Sequence, residues 1–309
     1  MKKIWFLLWI VFYPFSLNAE DLLFDFGNFN FFLSPKIMKD GSITEIGLGL
    51  MYTDIAGGII RFRNTSVAKN EELSNVSDSL NSATEKKYEF HLNLIDFYFQ
   101  KTEVFFLRLG AGFYYDYNKL SEKGFFNMPL LEAMIPPREQ VNSYTNNFSM
   151  HLLGPLAEAG ISYKSRLFGI SISGGIVPVF FLHTNQKTGI VPLMEPNMVE
   201  FSQNTWGKPY CYLNLDCVLF KFINLTFLYD YTRLKYSVVD FDENLDWIRP
   251  FRTVVTQSFK IEASALLPLG DSTYGQIGYG HTFDSTRLDS LSVDSNRNYI
   301  IFTVKKIGN

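Results

Sequence analysis

The sequence predicts an all-β fold: a transmembrane antiparallel up-and-down β-barrel of about twelve strands, within a range of ten to fourteen. Three observations carry that expectation. Apolar and polar residues alternate with period two along most of the 309 residues, the pattern of strands with two unlike faces. The links between alternating segments are by turns short and long, which suits a barrel with tight turns at one end and loops at the other. The chain also opens with an export leader.

The leader is residues 1–19. Lys2 and Lys3 precede the uncharged run 4–15, and Ser16-Leu-Asn-Ala19 supplies a small-residue cleavage region, so cleavage is expected after Ala19. The run falls short of the ~20 apolar residues a helical span needs; an uncleaved anchor helix is the alternative. Loss of Lys2 and Lys3 leaves 26 basic against 31 acidic groups. The barrel domain is then 20–309.

Strands are expected at 24–33, 44–53, 58–66, 87–100, 104–118, 147–163, 167–182, 207–219, 223–238, 252–267, 273–283 and 297–306. In 104–118 the odd positions Phe105, Leu107, Leu109, Ala111, Phe113, Tyr115 and Tyr117 are apolar, while Arg108, Gly110, Gly112 and Asp116 alternate with them. Tyr88, Phe90, Leu92 and Leu94 oppose Glu89, His91 and Asn93; Ile223 to Tyr231 oppose Asn224, Thr226 and Asp230; Phe259 to Leu267 oppose Ser258, Lys260, Glu262 and Ser264. The apolar stretch 167–182 is interrupted by Gly174, Gly175 and Pro178, and its Ile/Ser alternation reads as strand rather than membrane helix. Short links fall at 54–57, 101–103, 164–166, 220–222 and 268–272; long loops are expected near 67–86, 119–146, 183–206, 239–251 and 284–296, with 34–43 intermediate.

In lipid such strands must close into a barrel, apolar side chains outward and polar ones inward. Tyr114, Tyr115, Tyr117, Tyr210, Tyr212, Tyr229 and Tyr231 near strand ends are expected to form interfacial girdles. A secreted soluble β-barrel or sandwich is the rival, with every face inverted.

Composition narrows the function. With 30 Phe, 17 Tyr and 4 Trp, 47% hydrophobic and 19% charged residues, the chain is too aromatic for disorder. Lys+Arg 28 against Asp+Glu 31, with no basic cluster, excludes a phosphate-tracking surface and hence nucleic acid as partner. Cys211 and Cys217, six residues apart on one strand, would lie about 20 Å apart, beyond disulfide reach.

With leader, alternation and link asymmetry together, the mature chain resembles bacterial outer-membrane β-barrel proteins as a class. That resemblance implies residence in outer-membrane lipid and insertion by the barrel-assembly machinery. Members commonly close on a strand with a terminal aromatic; here Tyr299-Ile-Ile-Phe302-Thr-Val304 supplies the strand and Lys305-Lys-Ile-Gly-Asn309 follows it.

Candidate chemistry is sparse. No phosphate loop, dinucleotide fingerprint, nucleophile elbow or zinc-protease motif occurs, and no cofactor is expected. Ser149 and His151 share a face; alternating with Phe148, Met150 and Leu152, they are expected to face the lumen or the loop margin. Asp240, Asp242, Glu243 and Asp246 form an acidic patch, read as a solvated loop. The residues expected to line a lumen are Arg108, Asp116, Glu158, Lys164, Asp230, Lys260 and Glu262, with Glu158 and Lys164 near the periplasmic rim. Their mixed charge implies weak ion selectivity. The expected function is a passive porin-like channel for small hydrophilic solutes, not an enzyme. The alternatives are a closed barrel whose loops bind partners, a barrel lipid hydrolase and a secreted binding domain.

Overall fold

The computed structural model describes residues 29–53, 56–72, 80–102, 104–126, 142–165, 168–191, 197–207, 209–220, 222–237, 240–241, 247–270, 273–288 and 291–308. The expected leader 1–19, the segment 127–141, and Asp242, Glu243 and Asp246 lie outside them. In chain order the strands are β1 (Phe29–Met38), β2 (Gly41–Thr53), β3 (Ala56–Glu72), β4 (Leu80–Thr102), β5 (Phe105–Phe126), β6 (Asn142–Lys164), β7 (Phe168–Val177), β8 (Phe180–Val191), β9 (Asn197–Gly207), β10 (Tyr210–Leu219), β11 (Ile223–Ser237), β12 (Asp240–Phe241), β13 (Trp247–Ile248), β14 (Phe251–Gly270), β15 (Thr273–Leu288) and β16 (Leu291–Gly308).

Neighbours in sequence pair antiparallel around the wall, and β1 pairs with β16 (Leu33↔Val304, Lys36↔Ile301), so the sheet closes on itself. Closure removes the edges that lipid could not hydrogen-bond. The last strand runs on through Lys305 to Gly308, opposite Phe29. Two of the twelve staves are broken. Strand β6 pairs with β7 over 157–164 and with β8 over 143–153, so β7 and β8 are successive pieces of one stave; β9 and β10 are pieces of the next. Tyr210↔Val177 and Phe180↔Gly207 keep one register, which sets Pro178 opposite Pro209. Neither can donate to the ladder, and the wall bends there. Gly154 and Gly207 make room for the bend: a Cβ on Gly207 would collide with the Phe180 ring, and one on Gly154 would lie 2.5 Å from Val177 Cγ1. The pair β12 and β13 stands apart from the wall.

The faces follow the alternation. Ile46, Leu109, Ile161, Ile172, Leu213, Phe259, Ile277 and Phe302 are exposed outward, while Glu89, Asp96, Asp116 and Glu158 are buried inward. A soluble barrel would invert this. On β14 the outward row runs from Leu269 up to Phe259, ten residues or ~33 Å of strand, which at a tilt near 40° stands ~25 Å tall, the height of a hydrocarbon band. In β4 the alternation is reset by a bulge between Asn93 and Ile95, so Leu94 and Ile95 are both exposed and Asp96 turns inward, fully buried.

Three expectations are corrected. The long links are shorter than the sequence suggests: β3 runs to Glu72 and β4 starts at Leu80, β5 and β6 pair out to Phe126↔Asn142, β8 and β9 occupy most of 183–206, and β15 and β16 leave only 289–290 between them. Their polar composition reads as loop, but backbone ladders outside the bilayer need no apolar face. The intermediate link 34–43 shrinks to Lys39 and Asp40, because β1 runs to Met38. Tyr114, Tyr210 and Tyr212 are not girdle residues. They occupy the inward parity of β5 and β10, and Tyr114 stacks on Tyr210 with ring centroids 4.7 Å apart.

Candidate functional site: a layered lumen

The inward side chains form three layers. Toward the short-turn end, a cavity of about 380 Å³ is bordered by Ser34, Ser162, Ser171, Asn214, Thr226 and Lys305 among others. It reaches up to Arg61, Arg63, His91, Tyr210 and Asp230.

The second layer is ionic. Lys36 Nζ lies 2.6 Å from Glu262 Oε1 and 3.2 Å from Glu45 Oε2; Arg63 Nε lies 2.6 Å from Glu45 Oε1 and its Nη1 3.2 Å from Glu89 Oε2; Lys87 Nζ lies 3.0 Å from Glu89 Oε1 and 3.5 Å from Asp116 Oδ2. Acid and base thus alternate without interruption from β14 through β1, β2, β3 and β4 to β5. The Tyr299 hydroxyl donates to Glu262 at 2.8 Å and the Tyr114 hydroxyl to Glu89 at 3.3 Å. A second knot joins Arg108 to Asp96 (2.9 Å) and to Glu158, with Asn93 donating to both carboxylates and Arg61 3.9 Å from Glu158. Lys260 lies 3.7 Å from Asp230, which accepts from the Tyr210 hydroxyl at 3.1 Å. Burial of so many charges is tolerable because each has an opposite charge beside it and most are further hydrogen-bonded.

The third layer, toward the other end, is apolar. Tyr114, Met150, Leu152, Leu156, Val177, Phe180, Leu182, Tyr210 and Leu234 form one buried cluster, with Phe148, Tyr212, Tyr236 and Val254 packed against it. Phe148 on β6 stacks on Tyr236 on β11 at 5.4 Å, so the cluster joins staves three apart on the wall. Met38, Ile43, Val67, Tyr299 and Ile301 form a smaller one beside it.

Of the seven residues singled out from sequence, Arg108, Asp116, Glu158, Asp230, Lys260 and Glu262 come together in the ionic layer. Lys164 stays at the strand end with its Nζ 4.8 Å above the Phe106 ring. Glu158 is not at the rim: it sits six residues further along β6 and is 7% exposed. Lys36, Glu45, Arg61, Arg63, Lys87 and Asp96 were not singled out. Arg61 and Arg63 alternate with Ile60 and Phe62, a signal that was there to be read; Lys36 fell within an expected link.

For Ser149 and His151 the lumen-facing alternative is corrected. On β6 it is Met150 and Leu152 that point inward, buried at 8% and 1%, which leaves Ser149 and His151 outside. His151 Nδ1 is hydrogen-bonded to the Tyr115 hydroxyl at 2.9 Å and its ring faces His183 at 5.8 Å. Among the described residues no group of three or more His, Cys, Asp or Glu is placed to hold a metal ion.

Wall, belt and layered interior define a closed transmembrane β-barrel. No protein-family model and no curated protein matches the sequence. Among solved structures the chain is similar to the translocator domain of the autotransporter NalP from Neisseria meningitidis (TM-score 0.45, 9% identity, covering 94% of this chain and 92% of that one). It is also similar to the monoaromatic hydrocarbon channel CymD (0.48, 7%, 95% and 94%) and to the Pseudomonas putida toluene transporter TodX (0.48, 9%, 90% and 89%). At these identities and scores the likeness carries nothing about cargo or chemistry.

Proposed function

We propose that the chain is a bacterial outer-membrane channel for small hydrophilic solutes, with its resting path closed by side chains. After loss of residues 1–19 it is delivered by the barrel-assembly machinery, resides in outer-membrane lipid, and uses neither catalytic chemistry nor a cofactor. The observation that carries this reading is the cavity of about 380 Å³, lined by polar, charged and apolar side chains together, which extends from the short-turn end to the ionic layer. A purely structural barrel gains nothing by leaving that volume unpacked. Arg61, Arg63, Asp230 and Glu262 border the cavity directly, so charged groups are available to a hydrated solute. Opposite charges alternating around the wall favour weak selectivity.

Planar-bilayer conductance of the barrel, with heat-modifiable gel mobility as the folding control, tests it. Wild type should give small, brief steps, and Arg108→Ser longer or larger ones. If both are silent while folded and inserted, the channel reading fails. The second reading then takes its place, favoured by the β5/β6 hairpin, which continues eleven residues beyond Tyr115 to Phe126, ~36 Å of strand. That is a closed barrel displaying hairpins to a binding partner.

A further inference from the structure

One seam of the wall is only partly laddered. Strands β10 and β11 pair from Leu219↔Ile223 up to Cys211↔Tyr231. Above that, β9 pairs with β8 and β11 pairs with β14, and the facing edges of β9 and residues 232–237 of β11 form no ladder with each other. The cause is local: with Pro209 opposite Pro178, the upper piece of the stave follows β8 instead of β11. Side chains tie the edges instead. Gln203 Oε1 accepts from the Ser237 amide at 2.8 Å and joins the two edges; the Arg249 guanidinium, on the segment that leads into β14, lies 4.7 Å over the Phe201 ring of β9.

The slit sits at a telling height. Along β11 the outward residues change from Tyr229 and Tyr231 to Arg233 and Lys235, the aromatic-to-basic order of a membrane interface. Trp206, 71% exposed, stands on the opposite edge. Behind the slit lies the apolar layer, at Leu182, Leu234, Tyr236 and Phe148. An apolar interior gives no path for a hydrated solute, but it suits a hydrocarbon tail.

We propose that this slit is a lateral gate through which an anionic single-chain amphiphile from the outer leaflet inserts its tail into the apolar layer, its head held by Arg233 and Lys235. Opening breaks one side-chain tie between the edges and lifts the Arg249 guanidinium off Phe201, in place of a run of backbone hydrogen bonds. The tail enters beside the stacked rings of Phe148 and Tyr236, which are only partly buried. The site stands on the seam and does not depend on conduction through the barrel.

The test uses the folded barrel in lipid vesicles and cis-parinaric acid, a fluorescent C18 fatty acid, read by energy transfer from tryptophan. Binding should be saturable. In a Cys211→Ser/Cys217→Ser background, joining Gln203→Cys to Ser237→Cys with a cleavable bis-thiol linker should abolish the transfer, and cleaving the linker should restore it. Arg233→Gln with Lys235→Gln should weaken binding about thirtyfold, from the attraction each cation exerts on an anion near the membrane surface. Heat-modifiable mobility checks that every variant is folded. If the linked barrel takes up the probe as well as the unlinked one, or the double neutralisation changes nothing, the gate is disproved. Binding of an extended peptide along the β9 edge, with no fatty-acid transfer, also overturns it and makes the seam a strand-docking edge.

Discussion

Replacing Arg108 with alanine interrogates the dryness of the barrel interior. Arg108 bridges Asp96, which is fully buried, and Glu158, whose side chain is 4% exposed; its own side chain is 19% exposed. Removing one partner of a buried ion pair generally costs 3–5 kcal/mol, because the remaining charge stays in a poorly solvating site. Two circumstances reduce the figure here: Asn93 donates to both carboxylates, and Arg61 stands 3.9 Å from Glu158. The expected loss is therefore about 3 kcal/mol, the lower end of that range. Urea titration of the barrel in lipid vesicles, followed by tryptophan emission, measures it, with Lys187→Ala on the exposed β8 surface as a control expected to move stability by under about 0.5 kcal/mol. Replacing the whole knot (Arg108→Gln, Asp96→Asn, Glu158→Gln) should restore at least half of the loss, since neutral amides can hydrogen-bond one another without a stranded charge. An Arg108→Ala cost below about 1 kcal/mol would falsify the argument, because carboxylates that can shed their partner so cheaply must already be in water.

Two further outcomes follow from the faces and the bend. Adjacent residues on β15 point in opposite directions: Ile277, 49% exposed on the belt, and Gln276, which borders the cavity. Ile277→Arg should cost about 2–4 kcal/mol and Gln276→Arg under about 1 kcal/mol, and equal costs in the same urea titration would invalidate the lipid-facing assignment. At the bend, Gly207→Val must displace the Phe180 ring, an overpacking expected to cost about 1–3 kcal/mol. With Phe180→Ala already in place the added cost of Gly207→Val should largely vanish, and strict additivity would mean the ring is not what the glycine accommodates.

The legibility of the site varied with height in the barrel. Within the belt, period two reports the faces directly, so Arg108, Asp116, Asp230, Lys260 and Glu262 could be assigned inward from sequence. Outside it the rule loses its basis. On β6 the parity never changes, yet the inward residues pass from Ser162, Gly160 and Glu158 to Leu156, Leu152, Met150 and Phe148, while the outward ones pass from Ile161 to His151 and Ser149. Where lipid gives way to water the outer face becomes polar and the interior becomes an ordinary apolar core. Around the crossover the sequence reads Met150-His-Leu-Leu-Gly-Pro-Leu156, with no alternation to mark the change. Likewise, the bulge at Leu94 and Ile95 shifts parity by one, and a local pattern cannot anticipate it.

Alone, the sequence determined the all-β class, the twelve staves and the face most residues take within the belt, since these depend on alternation against two solvents. Only the tertiary structure decided which charges meet. Lys36 and Glu262, 226 positions apart, are neighbours because the first strands close on the last at one particular register. It likewise decided that Pro178 faces Pro209, so that one stave splits and leaves a seam tied by side chains. Pairing across a closed sheet is a property of register and curvature, which no residue encodes by its own chemistry.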